Sequence, residues 1–377
     1  MHRFDGGLSY GPPSGAPHGQ SGYLMINGIE IRNFKCFEHL KIDSCQRINV
    51  IVGDNGSGKT ALLEAVFWAL GSNSDLAIRY RQQRGLDGSF NGPPRRIEEA
   101  IWRDYFYNGQ WDKTINIELT GSGPESRSVK LFRGPSQVSL PLSSSPEQNE
   151  QLSGAVSAVW RDSKGVERTA QAKIGRTIDF EGTNEDLADF FYFPSTISVG
   201  STENAGRFSE LSRARRGDEF IKIFSSEYDW IENLDIEVTA GAPVIYATLR
   251  DTDDKIALPN VSNGINRIIG VLLGIASRSK SVVLVDEIEN GVYYKHHKAL
   301  WQALLQFART YETQLFLSTH SEEWLKALVS AAGDEVDDIA LWRIERSEKR
   351  QPELFQFEGN ELKAGIEYGA EVRGGSE

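Results

Sequence analysis

One eight-residue stretch, Gly53-Asp54-Asn55-Gly56-Ser57-Gly58-Lys59-Thr60, constrains this chain more than any other. It fits G-x-x-x-x-G-K-[ST] at every fixed position. The apolar run before it, Ile48–Val52 (INVIV), reads as a buried strand. The run after it, Thr60–Leu70, is apolar nearly all round and reads as a helix stopped by Gly71. Strand, loop and helix in that order are the context a phosphate-binding loop requires. Its three glycines let the backbone curl so that N–H groups face phosphate oxygens. The helix N-terminus adds positive potential. Lys59 would reach the β- and γ-phosphates, and the Thr60 hydroxyl would ligate Mg2+. A P-loop NTPase with an α/β fold is expected, with ATP and Mg2+ as its ligands.

A second signal answers the first. Val282–Val285 is four apolar residues followed by Asp286 and Glu287. In a P-loop fold the first acid at such a strand end holds Mg2+. The next acid can polarise an attacking water as a general base. Asp286 is therefore the candidate metal residue and Glu287 the candidate base. By itself an apolar strand ending in two acids is usually a solvated strand end; the phosphate loop changes that reading.

Lys59 and Asp286 lie 227 positions apart, far more than a minimal P-loop core needs. Residues of about 72–225 are therefore expected to be an insertion into one ATP-binding sheet. Its short strand-like pieces are Ile115–Leu119, Val129–Phe132, Val138–Leu142 and Val156–Trp160, with a polar connector at 143–154. Beyond Asp229, a helix at Asn263–Ala276, the strand Val282–Val285, a helix at Lys298–Arg309, the strand Gln314–Ser318 and a helix at Glu322–Ala331 alternate. That pattern predicts a mainly parallel sheet covered by helices. Residues 1–24, rich in Gly, Pro and Ser, read as a flexible leader, and 25–377 as a single domain. No sustained heptads predict a coiled-coil arm.

Composition sets outer limits. The hydrophobic fraction of 39% supports a real core. A formal net charge of −12 excludes a generally basic nucleic-acid coat, though not a local patch. Two cysteines, Cys36 and Cys45, exclude a disulfide framework or a Cys-rich zinc site and suit a reducing cytosol. Neither Ile268–Ala276 nor Phe190–Phe193 approaches the roughly 20 apolar residues of a membrane span. No secretory signal is visible. A cytoplasmic chain without a membrane partner is expected.

Further motifs fall in a specific order. Val261-Ser262-Asn263-Gly264-Ile265-Asn266-Arg267 precedes Asp286, Glu289-Asn290-Gly291 follows it, and Leu317-Ser318-Thr319-His320-Ser321 ends a later strand. This order resembles the ABC-type ATPase head. The opening Ile29–Phe37 (IEIRNFKCF) looks like the first strand of its SMC/RecF/OLD-like branch, and DEIENG and STHS look like OLD-type and related bacterial defence ATPases. The resemblance covers about 25–75 and 255–325. It implies an ABC-type head with a mixed or parallel sheet, flanking helices and a partly β-rich insertion.

It also implies a head-to-tail ATP sandwich, as a homodimer or higher oligomer. Ser262 and Gly264 would then cap the γ-phosphate held by the partner head. His320 would contact the γ-phosphate in cis, and Gln82 or Gln83 would touch Mg2+. Asn263, where the family has a small residue, and Val261, where it has Leu, depart from the pattern. Without the other motifs, His320 would read as an ordinary strand-end histidine, and Gln82 and Gln83 as surface residues.

Two arginine clusters are candidates for double-stranded DNA. One is Arg79, Arg81, Arg84, Arg95, Arg96 and Arg103, among Tyr80, Phe90 and Trp102. The other is Arg207, Arg213, Arg215 and Arg216. The alternative is a solvated face paired with Glu98, Glu99, Asp218 and Glu219. Two functions are weighed: an ATP-driven clamp on DNA in repair or antiphage defence, and an ATP-dependent scaffold that sequesters and releases a separate effector subunit. No nuclease domain is expected after Glu287, so effector chemistry would come from another chain.

Overall fold

The computed structural model describes residues 25–71, 94–121, 125–134, 155–174, 178–182, 189–196, 200–252, 254–333, 336–346 and 351–367. The strands are β1 (Ile26–Phe34), β2 (Phe37–Ile42), β3 (Ile48–Val52), β4 (Ile115–Gly121), β5 (Ser126–Gly134), β6 (Ala155–Asp162), β7 (Glu167–Ile174) and β8 (Ile178–Gly182). They continue with β9 (Phe190–Phe193), β10 (Ile231–Thr239), β11 (Ala242–Leu249), β12 (Lys255–Ala257), β13 (Val282–Val285), β14 (Gln314–Ser318), β15 (Ile339–Arg346) and β16 (Pro352–Glu358). Helices Lys59–Leu70, Pro94–Trp102, Ser201–Arg213, Gly217–Glu227, Asn263–Ser277, His297–Thr310, Glu322–Ala332 and Gly359–Glu367 lie between and after them.

Among the described residues, the site-bearing sheet has six strands in the order β16-β15-β3-β14-β13-β9. All its pairs are parallel except β15 with β16. Every residue of β3, β9, β13 and β14 is buried. This two-sided burial is why these strands read as unbroken apolar runs rather than alternating ones. One face packs Val50, Val283 and Leu317 against the helices Asn263–Ser277, His297–Thr310 and Glu322–Ala332. The other face packs Ile51, Leu284 and Phe316 against the helix Lys59–Leu70.

An antiparallel sheet of seven strands among the described residues, β2-β1-β4-β5-β6-β7-β8, covers that helix from the opposite side. Its inward residues, among them Ile31, Ile117, Val129 and Trp160, join the same core. Eleven of the twelve residues of Lys59–Leu70 are buried, since the helix lies between two sheets. A third sheet, β10-β11-β12, adds Leu234, Ile245 and Ala247 to the other core.

The α/β class and the mixed sheet expected from the sequence are present. The expected extent of the insertion, about 72–225, needs correction on its C-terminal side. Phe190–Phe193 is the edge strand of the parallel sheet, paired through Val282↔Phe190 to Val285↔Phe193. The helices Ser201–Arg213 and Gly217–Glu227 also belong to its core, through Phe208, Leu211, Phe220 and Phe224. The strand-like piece Val138–Leu142, the connector 143–154 and the leader 1–24 lie outside the described residues. Among the described residues, no helix is long and apolar enough to cross a membrane.

Candidate active site

The phosphate loop leaves the end of β3 and enters the helix Lys59–Leu70. Gly53 and Gly58 have φ of +142° and +122°, a region L side chains rarely adopt. A Cβ on Gly58 would also press against Cys36 Sγ and the Phe37 ring at 3.0 Å. Asp54, Asn55 and Gly56 are exposed at the loop's tip. Lys59 is 6% exposed, and its Nζ donates to the carbonyls of Gly53 (2.7 Å) and Asp54 (3.0 Å). Burial pulls the Lys59 ammonium below its ordinary range, and Asp286, Glu287 and Glu289 oppose that shift. Among the described residues, Ser57 Oγ is buried without a hydrogen-bond partner.

Asp286 follows β13 and is 3% exposed. Its Oδ1 accepts from Ser318 Oγ (2.6 Å) and Thr60 Oγ1 (3.1 Å), and its Oδ2 from Thr60 Oγ1 (3.1 Å) and Ser195 Oγ (3.2 Å). Burial raises the Asp286 carboxyl above the usual range, and the Ser318 and Thr60 hydroxyls partly offset it. A buried carboxylate joined to a helix-start hydroxyl is a hard-oxygen donor set. Mg2+ is held in this way, by one or two carboxylates and substrate phosphates rather than an all-protein cage. Among the described residues, no group of three or more His, Cys, Asp or Glu could hold a metal alone. The orphaned Ser57 hydroxyl and the Thr60–Asp286 contact thus fit a Mg2+–phosphate ligand.

Glu287 is half-buried and has φ +50°, and its Oε2 accepts from Asn290 Nδ2 at 2.7 Å. Glu289, 8% exposed, accepts the His320 backbone N–H at 3.0 Å, with His320 Nδ1 at 3.2 Å. The His320 side chain is otherwise exposed at the end of β14. Ser262 caps the helix Asn263–Ser277, accepting from the Ile265 N–H at 3.4 Å. Gly264 lies against the Gly291 carbonyl so closely that a Cβ there would overlap it.

The structure therefore gathers Lys59, Thr60, Asp286 and Glu287 at the C-terminal ends of β3 and β13. It sets Ser262 and Gly264 beside the Glu289–Gly291 turn. Gln82 and Gln83 lie outside the described residues. Sequence reading gave no role to Ser195, Ser318, Asn290 or Arg267. Arg267 and Ser318 stand inside the quoted motifs without a role there, Arg267 as a lone charge in an otherwise uncharged, largely apolar helix and Ser318 as the polar end of the run QLFLS.

The arginine clusters come apart. Arg207 is 7% exposed, bonded to Glu203 (2.6 Å) and stacked over Phe191 (4.9 Å) and Phe193 (5.4 Å). Arg216 lies over Tyr311 at 4.2 Å. Trp102 is buried at 4% exposure. Arg96, Arg103, Arg213 and Arg215 are exposed, whereas Arg79, Arg81, Arg84 and the Arg95 side chain lie outside the described residues.

An AAA-domain family model matches residues 29–235. A second AAA-domain model, whose description carries the AbiEii toxin of a type IV TA system, matches 162–325. An ATP/GTP phosphatase of Helicobacter pylori is 18% identical over 328 residues, covering 81% of this chain and 87% of that protein. The chromosome partition protein Smc of Methanocaldococcus jannaschii is 34% identical over 98 residues, 26% of this chain and 8% of that protein. The DNA replication and repair protein RecF of Clostridium perfringens is 36% identical over 112 residues, 29% of this chain and 28% of that protein. The chain thus spans most of the phosphatase but only a small part of Smc and RecF. The solved SMC head domain from Thermotoga maritima aligns with a TM-score of 0.42 and 14% identity, over 88% of this chain and 99% of that one. The chain belongs to the AAA-domain family.

Proposed function

We propose that this chain binds ATP with Mg2+ and hydrolyses its terminal phosphate. The observation that carries the reading is the Thr60 Oγ1–Asp286 contact, which joins the phosphate loop to the acidic strand end across 226 positions. In this reading the loop N–H groups and Lys59 hold the β- and γ-phosphates. Thr60 and Asp286 would hold Mg2+, which when bound neutralises phosphate charge. Glu287 takes a proton as water adds to the γ-phosphorus, and ADP leaves with the bridging oxygen. The rate gain comes from positioning and electrostatics.

We read residues 25–377 as one head, whose excursion from a minimal core runs mainly through Pro94–Gly182. The free thiols Cys36 and Cys45 suit a cytoplasmic setting. ATP would join two heads, with Ser262 and Gly264 of one meeting the γ-phosphate on the other. That part rests on a capped helix of fifteen residues aimed beside the Glu289–Gly291 turn. His320 would sense the γ-phosphate through its link to Glu289. Exposed Arg96, Arg103, Arg213 and Arg215 support a DNA-associated switch in repair or antiphage defence, of OLD-like character. A second reading is an ATP-dependent scaffold for an effector subunit. The type IV TA description of the model matching 162–325 favours it.

The test is phosphate release from ATP with Mg2+ or with EDTA, by the wild type and by Lys59→Ala. Turnover that needs both Mg2+ and Lys59 supports the reading; Mg2+-independent turnover, or full activity in Lys59→Ala, sinks it. Stimulation by duplex DNA favours the clamp. A stable complex with the product of an adjacent gene, with no DNA effect, favours the scaffold.

A further inference from the structure

Glu287 is a non-glycine residue with φ +50°, so its backbone occupies a sparsely populated region. Such a conformation persists only where the surroundings over-determine it. Arg267 and Ser318 do so here from other elements, and Asn290 from within the same turn. On the peptide plane before the Glu287 Cα, the Asp286 carbonyl accepts from Arg267 Nη2 at 2.6 Å, and the Glu287 N–H donates to Ser318 Oγ at 2.8 Å. On the plane after it, the Glu287 carbonyl accepts from the Asn290 N–H at 3.1 Å and lies 3.4 Å from Arg267 Nη2, and the Ile288 N–H donates to the Ser318 carbonyl at 3.2 Å. Each plane is thus held on both edges. Arg267 Nη1 donates to the Pro194 carbonyl at 3.0 Å, which ties the same guanidinium to the end of β9.

Arg267 is 7% exposed and carries the only charge in the helix Asn263–Ser277. Burying a guanidinium is costly unless its donors are used. Three backbone carbonyls from the ends of two strands take its two Nη atoms, while among the described residues its buried Nε has no partner, and a planar fork suits that arrangement where an ammonium does not. Its position on the helix that Ser262 caps also makes it a direct link between that helix and the acidic turn.

We infer that Arg267 is a positioning residue for ATP hydrolysis: with Ser318 it locks both peptide planes around Glu287 and so aims the Glu287 carboxylate. This rests on the ATPase reading above. Arg267 touches no substrate atom in this role, so its loss should lower kcat and leave ATP binding intact.

The experiment compares steady-state phosphate release and binding of a fluorescent ATP analogue for wild type, Arg267→Lys and Arg267→Ala, with thermal melts as a folding control. Expected for Arg267→Ala is a fall in kcat on the order of 10²-fold, the scale of a small misplacement of a catalytic group, with KM and analogue affinity nearly unchanged. Arg267→Lys, which can keep one carbonyl but not three, should fall between. A merely structural role would not survive a second readout. Placed in a Glu287→Gln background, Arg267→Lys should add little further loss of the residual single-turnover rate, because both changes act through one carboxylate. Wild-type kcat in Arg267→Ala, equal losses in kcat and nucleotide affinity, or the same fold loss in both backgrounds would each overturn the inference. Arg267→Lys carries the test if Arg267→Ala does not fold. A wild type without ATP turnover would remove the ATPase reading itself, and this inference with it.

Discussion

Lys35 and Glu64 illustrate how single residues are constrained here. Glu64 is fully buried in the helix between the two sheets, and it forms an ion pair with Lys35 from the β1–β2 turn. Lys35 also lies 5.7 Å from the Phe34 and Tyr105 ring centroids. Removing the cation leaves a buried carboxylate in apolar surroundings, so Lys35→Met should lower unfolding stability by on the order of 3 kcal/mol, measured by urea denaturation. The neighbouring Cys36 thiol is pushed up to about 11 by burial. The folded state therefore holds this proton more tightly than the unfolded chain. Its stabilising contribution is complete below 9.0 and is withdrawn as pH rises toward about 11. Iodoacetamide labelling of Cys36 in the folded protein should keep accelerating toward about pH 11; levelling near pH 9 would contradict the burial. Lys59, Asp286 and Glu287 were legible as candidates because each stands in a local pattern. Arg267 and Ser318 were not, because their partners come from 19 and 31 positions away and only folding brings them together.

At the scale of elements, the buried parallel strands were the easiest to read. Ile48–Val52, Val282–Val285 and Gln314–Ser318 are apolar runs because both faces are covered. Phe190–Phe193 has the same character, but its pairing with β13 spans about ninety residues and leaves no local signal. The helix Ser201–Arg213 was missed for a different reason: its sequence STENAGRFSELSR buries only a narrow set of residues, among them Ala205, Phe208 and Leu211. The close approach of Gly264 to the Gly291 carbonyl joins two elements that sequence order separates. Gly264→Ala should force the helix start away from the Glu289–Gly291 turn. The expected loss is about 1–3 kcal/mol of stability, read by denaturation, with ATP turnover reduced as well. Unchanged stability and turnover would mean that this contact is slack.

For the whole molecule, the helix after the phosphate loop lies sandwiched between a parallel and an antiparallel sheet. Its N-terminal residues Lys59 and Thr60 emerge at the end of β3, with Asp286 in contact. The total charge of −12 says little about such a site, because Lys59 is buried and Arg207 serves the core. If two heads close on ATP, Ser262→Arg should place a cation and a long side chain at the joining surface. Light scattering with Mg-ATP should then give a monomer where the wild type gives a dimer; a dimer in both would remove the two-head reading. In the proposed function, Glu287 is the base for ATP hydrolysis. Single-turnover hydrolysis of bound Mg-ATP by Glu287→Gln, beside the wild type, tests it most directly. Expected are unchanged ATP binding and a rate on the order of 10²–10⁴-fold slower. Hydrolysis at the wild-type rate would contradict it.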